Sequence, residues 1–177
     1  KTSSYEAKCH PNCQCGCFLE IGNSVFMQYE KKADGKLWEL PNKNVDFGGG
    51  LERLAAATNN DPDIFQIDLF APLIRIIEAE SDKSYQEDQN QKSMRIISDH
   101  LRAAIFLISQ NVEPANTQQG YILRRLIRRA IRYGKLLGIK DNFTGRMVAP
   151  VVKNYEDFYP ELKENADKIK AALETEE

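Results

Sequence analysis

Cysteine is absent after residue 17, tryptophan occurs once (Trp38), and histidine occurs only at positions 10 and 100. All four cysteines, Cys9, Cys13, Cys15 and Cys17, fall within one short loop. That clustering argues against a disulfide framework, which would spread its cysteines to staple distant segments. No apolar run approaches the roughly 18–20 residues that cross a bilayer. No charged-then-apolar leader opens the chain. A soluble, cytoplasmic protein with no membrane partner is the expectation. The first residue is Lys1 rather than Met, so the chain is expected to be a piece of something longer. No internal repeat occurs.

What remains is ample for a core. The 177 residues are 42% apolar and 28% charged, enough for one ordinary domain or two small ones. The net charge of −2 names no partner, but its distribution does. Arg124, Arg125, Arg128, Arg129, Arg132, Lys135 and Lys140 follow one another with no acid between them, whereas acids dominate from Glu156 to Glu177. A cationic block in a near-neutral chain points to an anionic partner for that block alone.

Along the chain, residues 1–16 read as a loop and Phe18–Tyr29 as a strand. A turn falls at Ala33–Lys36, and a return strand over Lys36–Leu40 is broken by Pro41. Asn44–Phe47 is a short strand ended by Gly48-Gly49-Gly50, and a helix follows over Leu51–Ala57. Asp68 is placed to cap a helix through Leu73 and Ile77, with Pro72 in its first turn. The polar stretch 81–91 reads as a linker. Ser93 then caps a helix to Ser109, with Met94, Ile97, Leu101, Ala104, Ile105 and Ile108 on one arc. Arg95, Asp99 and Arg102 share another face at pairing distance. Gly120 opens a helix that ends before Gly138, and further helices are expected over Phe143–Asn154 and Glu161–Glu174.

Two features carry chemistry. In the helix after Gly120, the arginines at 124, 125, 128, 129 and 132 lie within an arc of roughly 140°, opposite Ile122, Leu123, Leu126, Ile127, Ala130, Ile131 and Leu137. Guanidinium matches phosphate bidentately, so a nucleic-acid backbone fits this face. A solvated face, or one paired with the acidic tail after Glu156, is the alternative. The second feature, Asp46-Phe47-Gly48-Gly49-Gly50-Leu51-Glu52-Arg53, sets three glycines between a strand and a helix. Backbone N–H groups and the helix N-terminus favour an anion there. It is not a P-loop, since no Lys-Ser/Thr pair follows.

Both features, in this order, resemble the alanyl-tRNA synthetase family. Gly48-Gly49-Gly50-Leu51-Glu52-Arg53 is similar to motif 3 of class II synthetases, and Glu20–Gln28 to the family's alanine-pocket strand, where Gly22 departs from the usual Trp. Ser98–Arg102 and Gly120–Ala130 resemble its acceptor-stem-binding helices. The resemblance implies an α+β fold: a partial class II antiparallel sheet with helices, then an all-α domain. It places the end of the catalytic domain in residues 1–85 and an incomplete tRNA-recognition domain in 86–177. Motifs 1 and 2 are not found and are expected upstream.

The roles implied are specific. Gly48, Gly50, Glu52 and Arg53 would bind ATP, supplied with Mg. Asn23, Val25 and Asp46 would bind alanine, with Asp46 on the ammonium. Arg53 and Asp46 would carry the catalytic work. Asn116 would help read the G·U pair of the tRNA(Ala) acceptor stem, and Arg124, Arg125, Arg128, Arg129 and Arg132 would hold its phosphates. The implied activity is alanine–tRNA ligation in the full-length chain, with this piece inactive without the parts it lacks. A non-catalytic RNA-binding module or paralogue, and a helical protein-interaction domain, are the competing readings. For Cys9, Cys13, Cys15 and Cys17, a zinc site joined by His10 and reduced, unligated cysteines both stay open.

Overall fold

The computed structural model describes residues 10–11 and 18–177. The cysteines and the zinc site suggested for them lie outside the described residues. Packing divides the chain into Lys1–Ile67 and Asp68–Glu177.

In the first unit, β1 (Gly22–Lys31) and β2 (Leu37–Gly49) form an antiparallel hairpin. The turn falls where Asp34-Gly35 predicts it: Gly35 sits at φ +80°, a conformation a Cβ would strain, and Asp34 Oδ1 accepts a bond from Lys36 N. Pro41 does not end the strand, contrary to expectation. The register instead jumps from Met27 opposite Asn44 to Tyr29 opposite Glu39. Gln28 alone therefore faces Leu40–Lys43, and Pro41, with no N–H to give, falls in that bulge. Helix α1 (Leu51–Thr58) follows Gly50, whose N–H donates to Ile21 O at 3.0 Å. This unit has little core. Ala56 and Ile67 are its buried apolar side chains among the described residues, while Phe26 is 80% exposed and Phe47 68%.

The second unit is all helical among its described residues: α2 (Ala71–Ser81), α3 (Asp88–Ser109), α4 (Gln118–Leu137), a 3-10 turn (Thr144–Met147) leading into α5 (Val148–Tyr155), α6 (Pro160–Glu164) and α7 (Ala166–Glu176). Helices α3 and α4 pack side by side, and the predicted arcs form the core. Met94, Ile97, Leu101, Ala104 and Ile105 are fully buried, as are Leu123, Ile127 and Ala130. At about 1.5–3 kcal/mol for each large apolar side chain buried, this unit holds most of the chain's hydrophobic stabilisation. Gly134 lets Phe143 close against α4, since a Cβ there would lie 2.6 Å from the ring. Gly138 ends the helix at φ +91°, as the sequence predicts.

Several local expectations change. Asp68 does not cap α2; Phe70 holds the cap position, and Pro72, which has no N–H needing a partner, sits in the first turn. Residues 81–91 are not a spacer. Tyr85 and Asn90 are buried, Asn90 Nδ2 donates to Ser84 O and Glu87 Oε2, and α3 already begins at Asp88. Most of the polar side chains of that stretch face solvent, but Tyr85 and Asn90 anchor it to the fold. Gly120 lies inside α4, not at its start, and Ile122 is about half exposed rather than in the core. The helix expected over 161–174 divides at Asn165, which caps both pieces and bonds back to Glu161 O at 2.9 Å. The whole is α+β: a two-stranded antiparallel sheet and seven α-helices among the described residues. No described helix is long and apolar enough to cross a membrane.

Candidate functional site

The hairpin register decides which side chains meet. Asn23 pairs with Gly48, Val25 with Asp46 and Met27 with Asn44; Ser24, Phe26, Val45 and Phe47 alternate with them. Because side chains on a strand alternate between faces, Asn23, Val25 and Asp46 share one face and Phe26, Val45 and Phe47 the other. The first face mixes an amide, a carboxylate and a small apolar group. That set suits the carboxylate, ammonium and methyl of a small amino acid. Glycine at 48 keeps this face open: a Cβ there would stand 3.5 Å from Asn23 Oδ1. On the apolar face the Phe47 ring lies over Gly22 and Gly49, so that a Cβ on Gly22 would meet it at 3.2 Å. The space beside Gly22 is thus held by an aromatic ring from the opposite strand.

The three glycines act through space rather than through left-handed backbone, since none of them has positive φ. Gly50 precedes α1 with no side-chain cap, which leaves the first N–H groups of that helix available to an anion. Arg53 stands in the first turn. Its Nη1 donates to Glu20 O at 2.8 Å, and Asn23 Nδ2 donates to Glu20 Oε1 at 3.0 Å. Glu20 therefore joins Arg53 to the hairpin face, a link that sequence reasoning missed. Its only signal is proximity to Asn23.

The second candidate surface lies on α4. Asn116, Tyr121 and the five arginines line a shallow groove of about 440 Å³. The arginines are not equivalent. Glu176 of α7 accepts from Arg124 Nε at 2.9 Å and from Arg128 Nε at 3.3 Å, and its side chain is only 10% exposed. Arg124, three-quarters buried, is a structural partner of Glu176, whereas Arg128, 66% exposed, touches it through Nε alone. The alternative of pairing with the acidic tail after Glu156 thus holds for these two arginines. Arg125, Arg129 and Arg132 are exposed and have no acidic partner among the described residues. Arg125 lies over the Tyr121 ring and Arg129 over the Tyr133 ring, at 5.8 and 5.9 Å. Both contacts are four residues apart on one helix and were legible from spacing. Arg124 also donates to Asn116 Oδ1 at 2.5 Å and to Pro114 O at 3.3 Å. Gly120 seats that loop: a Cβ on it would lie 2.4 Å from Glu113 O.

Elsewhere, Arg95 donates to Tyr85 Oη and Gln91 Oε1, and Arg102 to Tyr155 Oη. Asp99 is hydrogen-bonded to His100 Nδ1 at 2.9 Å. That bond, against partial burial and with added attraction from His100 and Arg102, holds its carboxyl below the usual carboxylate range. These contacts secure the helices and take no part in either surface.

Comparison with known proteins covers the whole chain. The family described as tRNA synthetases class II (A) matches residues 1–177. An alanine–tRNA ligase of Desulfosudis oleivorans is 48% identical over 170 residues, covering 96% of this chain and 19% of that protein. The enzyme of the same name from Borreliella afzelii is 48% identical over 172 residues, covering 96% of this chain and 29% of its own length. The one from Elusimicrobium minutum is 43% identical over 169 residues. The chain thus spans 19% to 29% of the length of these relatives. A match from first residue to last, over the strand, glycine turn and arginine helix alike, means that this chain belongs to the class II (A) tRNA synthetases.

Proposed function

We propose that the chain is the part of an alanine–tRNA ligase that supplies motif 3 and begins acceptor-stem recognition, with the catalytic contribution in residues 1–85 and the helical recognition domain from residue 86. The observation that carries this reading is the hairpin register, which sets Asn23, Val25 and Asp46 on one face beside an uncapped helix start. In this reading Asp46 binds the ammonium of alanine, Asn23 lies toward its carboxylate, and Val25 bounds the methyl pocket. Gly48, Gly50 and Glu52 shape the ATP site, and Arg53, steadied by Glu20, reaches ATP. In this reading Mg comes as part of the ATP complex.

The reaction is attack of the alanine carboxylate on the α-phosphorus of ATP, with pyrophosphate leaving, followed by transfer of the alanyl group to a hydroxyl of the tRNA end, with AMP leaving. Asp46 and Arg53 act by holding the reactants in line and balancing charge, which is most of what such a displacement asks of a protein. The apolar hairpin face with Phe26 and Phe47 fits a seat for other parts of a full-length chain. Asn116 reads the G·U pair in the shallow minor groove, and the arginine face meets phosphates. Under this reading the enzyme works in the cytoplasm.

The test is binding of the chain to a tRNA(Ala) acceptor-stem hairpin at several salt concentrations. The triple variant Arg125→Ala, Arg129→Ala, Arg132→Ala is expected to weaken binding and flatten the log–log salt slope by roughly 2–3, at about 0.7–0.9 per lost phosphate contact. An unchanged slope would remove the phosphate role.

A further inference from the structure

We infer that Glu176 is a positioning residue for the arginine surface of α4: it withholds Arg124 from phosphate and fixes the orientation of the Asn116 amide. The inference rests on the RNA-binding reading above and deepens it.

The argument starts from donors and acceptors. A guanidinium has five N–H donors and no acceptor. Arg124 directs Nε and Nη2 to Glu176 Oε1, both at 2.9 Å, Nη1 to Asn116 Oδ1 at 2.5 Å, and Nη2 also to Pro114 O at 3.3 Å. All three of its nitrogens are engaged within the protein, so no bidentate edge is left for a phosphate. Facing a group made only of donors, Asn116 must present its oxygen, and its Nδ2 then turns away from Arg124. That amide nitrogen donates to no described residue and keeps two N–H groups for the acceptors of a minor groove, while Oδ1 retains a second lone pair.

Glu176 itself is held firmly. Neighbouring Glu177 accepts from Phe143 N at 3.2 Å, Thr144 N at 3.1 Å and Thr144 Oγ1 at 2.7 Å. Glu174 packs where a Cβ on Gly145 would stand, at 2.5 Å. The end of α7 is thereby locked to the 3-10 turn and delivers the Glu176 carboxylate, nine-tenths buried, between two arginines. Sequence-independent attraction is left to Arg125, Arg129, Arg132 and the exposed Nη groups of Arg128, and Arg124 becomes the support of the Asn116 amide. Without the Glu176 charge, Arg124 would be freed toward the backbone and the amide would be free to rotate. Affinity for any RNA should then rise while discrimination falls.

The experiment compares the 177-residue chain with Glu176→Gln, which keeps the shape and removes the charge, and Glu176→Asp, which keeps the charge. The probes are two labelled RNA hairpins that differ only in a G·U or a G·C pair at the read position. Expected for Glu176→Gln are tighter binding to both hairpins, a salt slope steeper by about 0.7–0.9 for the one released cation, and a G·U to G·C preference reduced toward unity. Glu176→Asp should restore the shallower slope. Loss of stability alone would not steepen the slope. Unaltered slope and preference in a folded Glu176→Gln chain overturn the inference. In parallel, NMR without RNA follows the Arg124 Nε–H and Asn116 Nδ2 signals. Their broadening or shift in Glu176→Gln supports the clamp, and unchanged signals overturn it. Should wild type bind neither hairpin, the RNA-binding reading fails, and the NMR comparison alone decides the clamp.

Discussion

Replacing Gly120 with alanine tests the geometry of the α4 surface at its tightest point. On propensity alone the change should stabilise a helix interior by about 0.8–1.0 kcal/mol. The structure opposes this. A Cβ at position 120 would lie 2.4 Å from Glu113 O, 2.6 Å from Ala115 Cβ and 2.9 Å from Ala115 N. Two of these atoms are backbone, so no side-chain rotation relieves the contact. Overpacking of this kind costs typically 1–3 kcal/mol, occasionally more, and here the upper part of that range applies. The Ala115 N–H to Gly120 O bond, 3.0 Å long, is strained by the same shift. The net expectation is destabilisation by roughly 1–2 kcal/mol. It would be read as a lower urea midpoint with an unchanged m-value. The displaced loop carries Asn116, so the Asn116–Arg124 bond should weaken together with stability. A Gly120→Ala chain as stable as wild type, or more so, would refute the close approach and with it the placement of Asn116.

Three further outcomes follow from the same structure. Gly134→Ala should destabilise through its 2.6 Å approach to the Phe143 ring, and Phe143→Leu in the same chain should recover part of the loss in a double-mutant cycle. Asp99 has a depressed pKa in the folded state, so its contribution is present above the unfolded value near about 4 and fades as pH falls through the folded one. Because Asp99 is half exposed, Asp99→Asn should cost less than about 1 kcal/mol at neutral pH, and the cost should shrink as the pH is lowered below about 4, by thermal unfolding at each pH. In hydrogen exchange, amides of β1 and β2 should exchange well before those of α3 and α4. The hairpin unit buries only Ala56 and Ile67 among its described apolar side chains, whereas α3 alone fully buries Met94, Ile97 and Leu101.

How much of this was legible in the sequence depends on the range of the interaction. The helical arcs of α3 and α4, the Gly35 turn and the Gly138 stop are local matters of periodicity and backbone preference, and they stand where the residues put them. Pro41 misled because a proline breaks a ladder only where its N–H is needed, and the register jump at Gln28 removes that need. The polar run at 81–91 misled because composition does not reveal that Tyr85 and Asn90 find partners inside the fold. At the site, alternation along the two strands was readable, but their register was not, and the register is what brings Asp46 to Val25. The pairing of Arg124 with Glu176 spans fifty-two positions, and no local pattern encodes it; the acid-rich tail only made it an option.

The most direct test of the central claim is a graft. The matched segment of the Desulfosudis oleivorans alanine–tRNA ligase, 48% identical to this chain, would be replaced by these residues and assayed for alanine-dependent ATP–pyrophosphate exchange. The account predicts that the chimera exchanges and that Asp46→Ala within it abolishes exchange while the protein stays folded. A folded chimera without exchange, or one indifferent to Asp46→Ala, would contradict it.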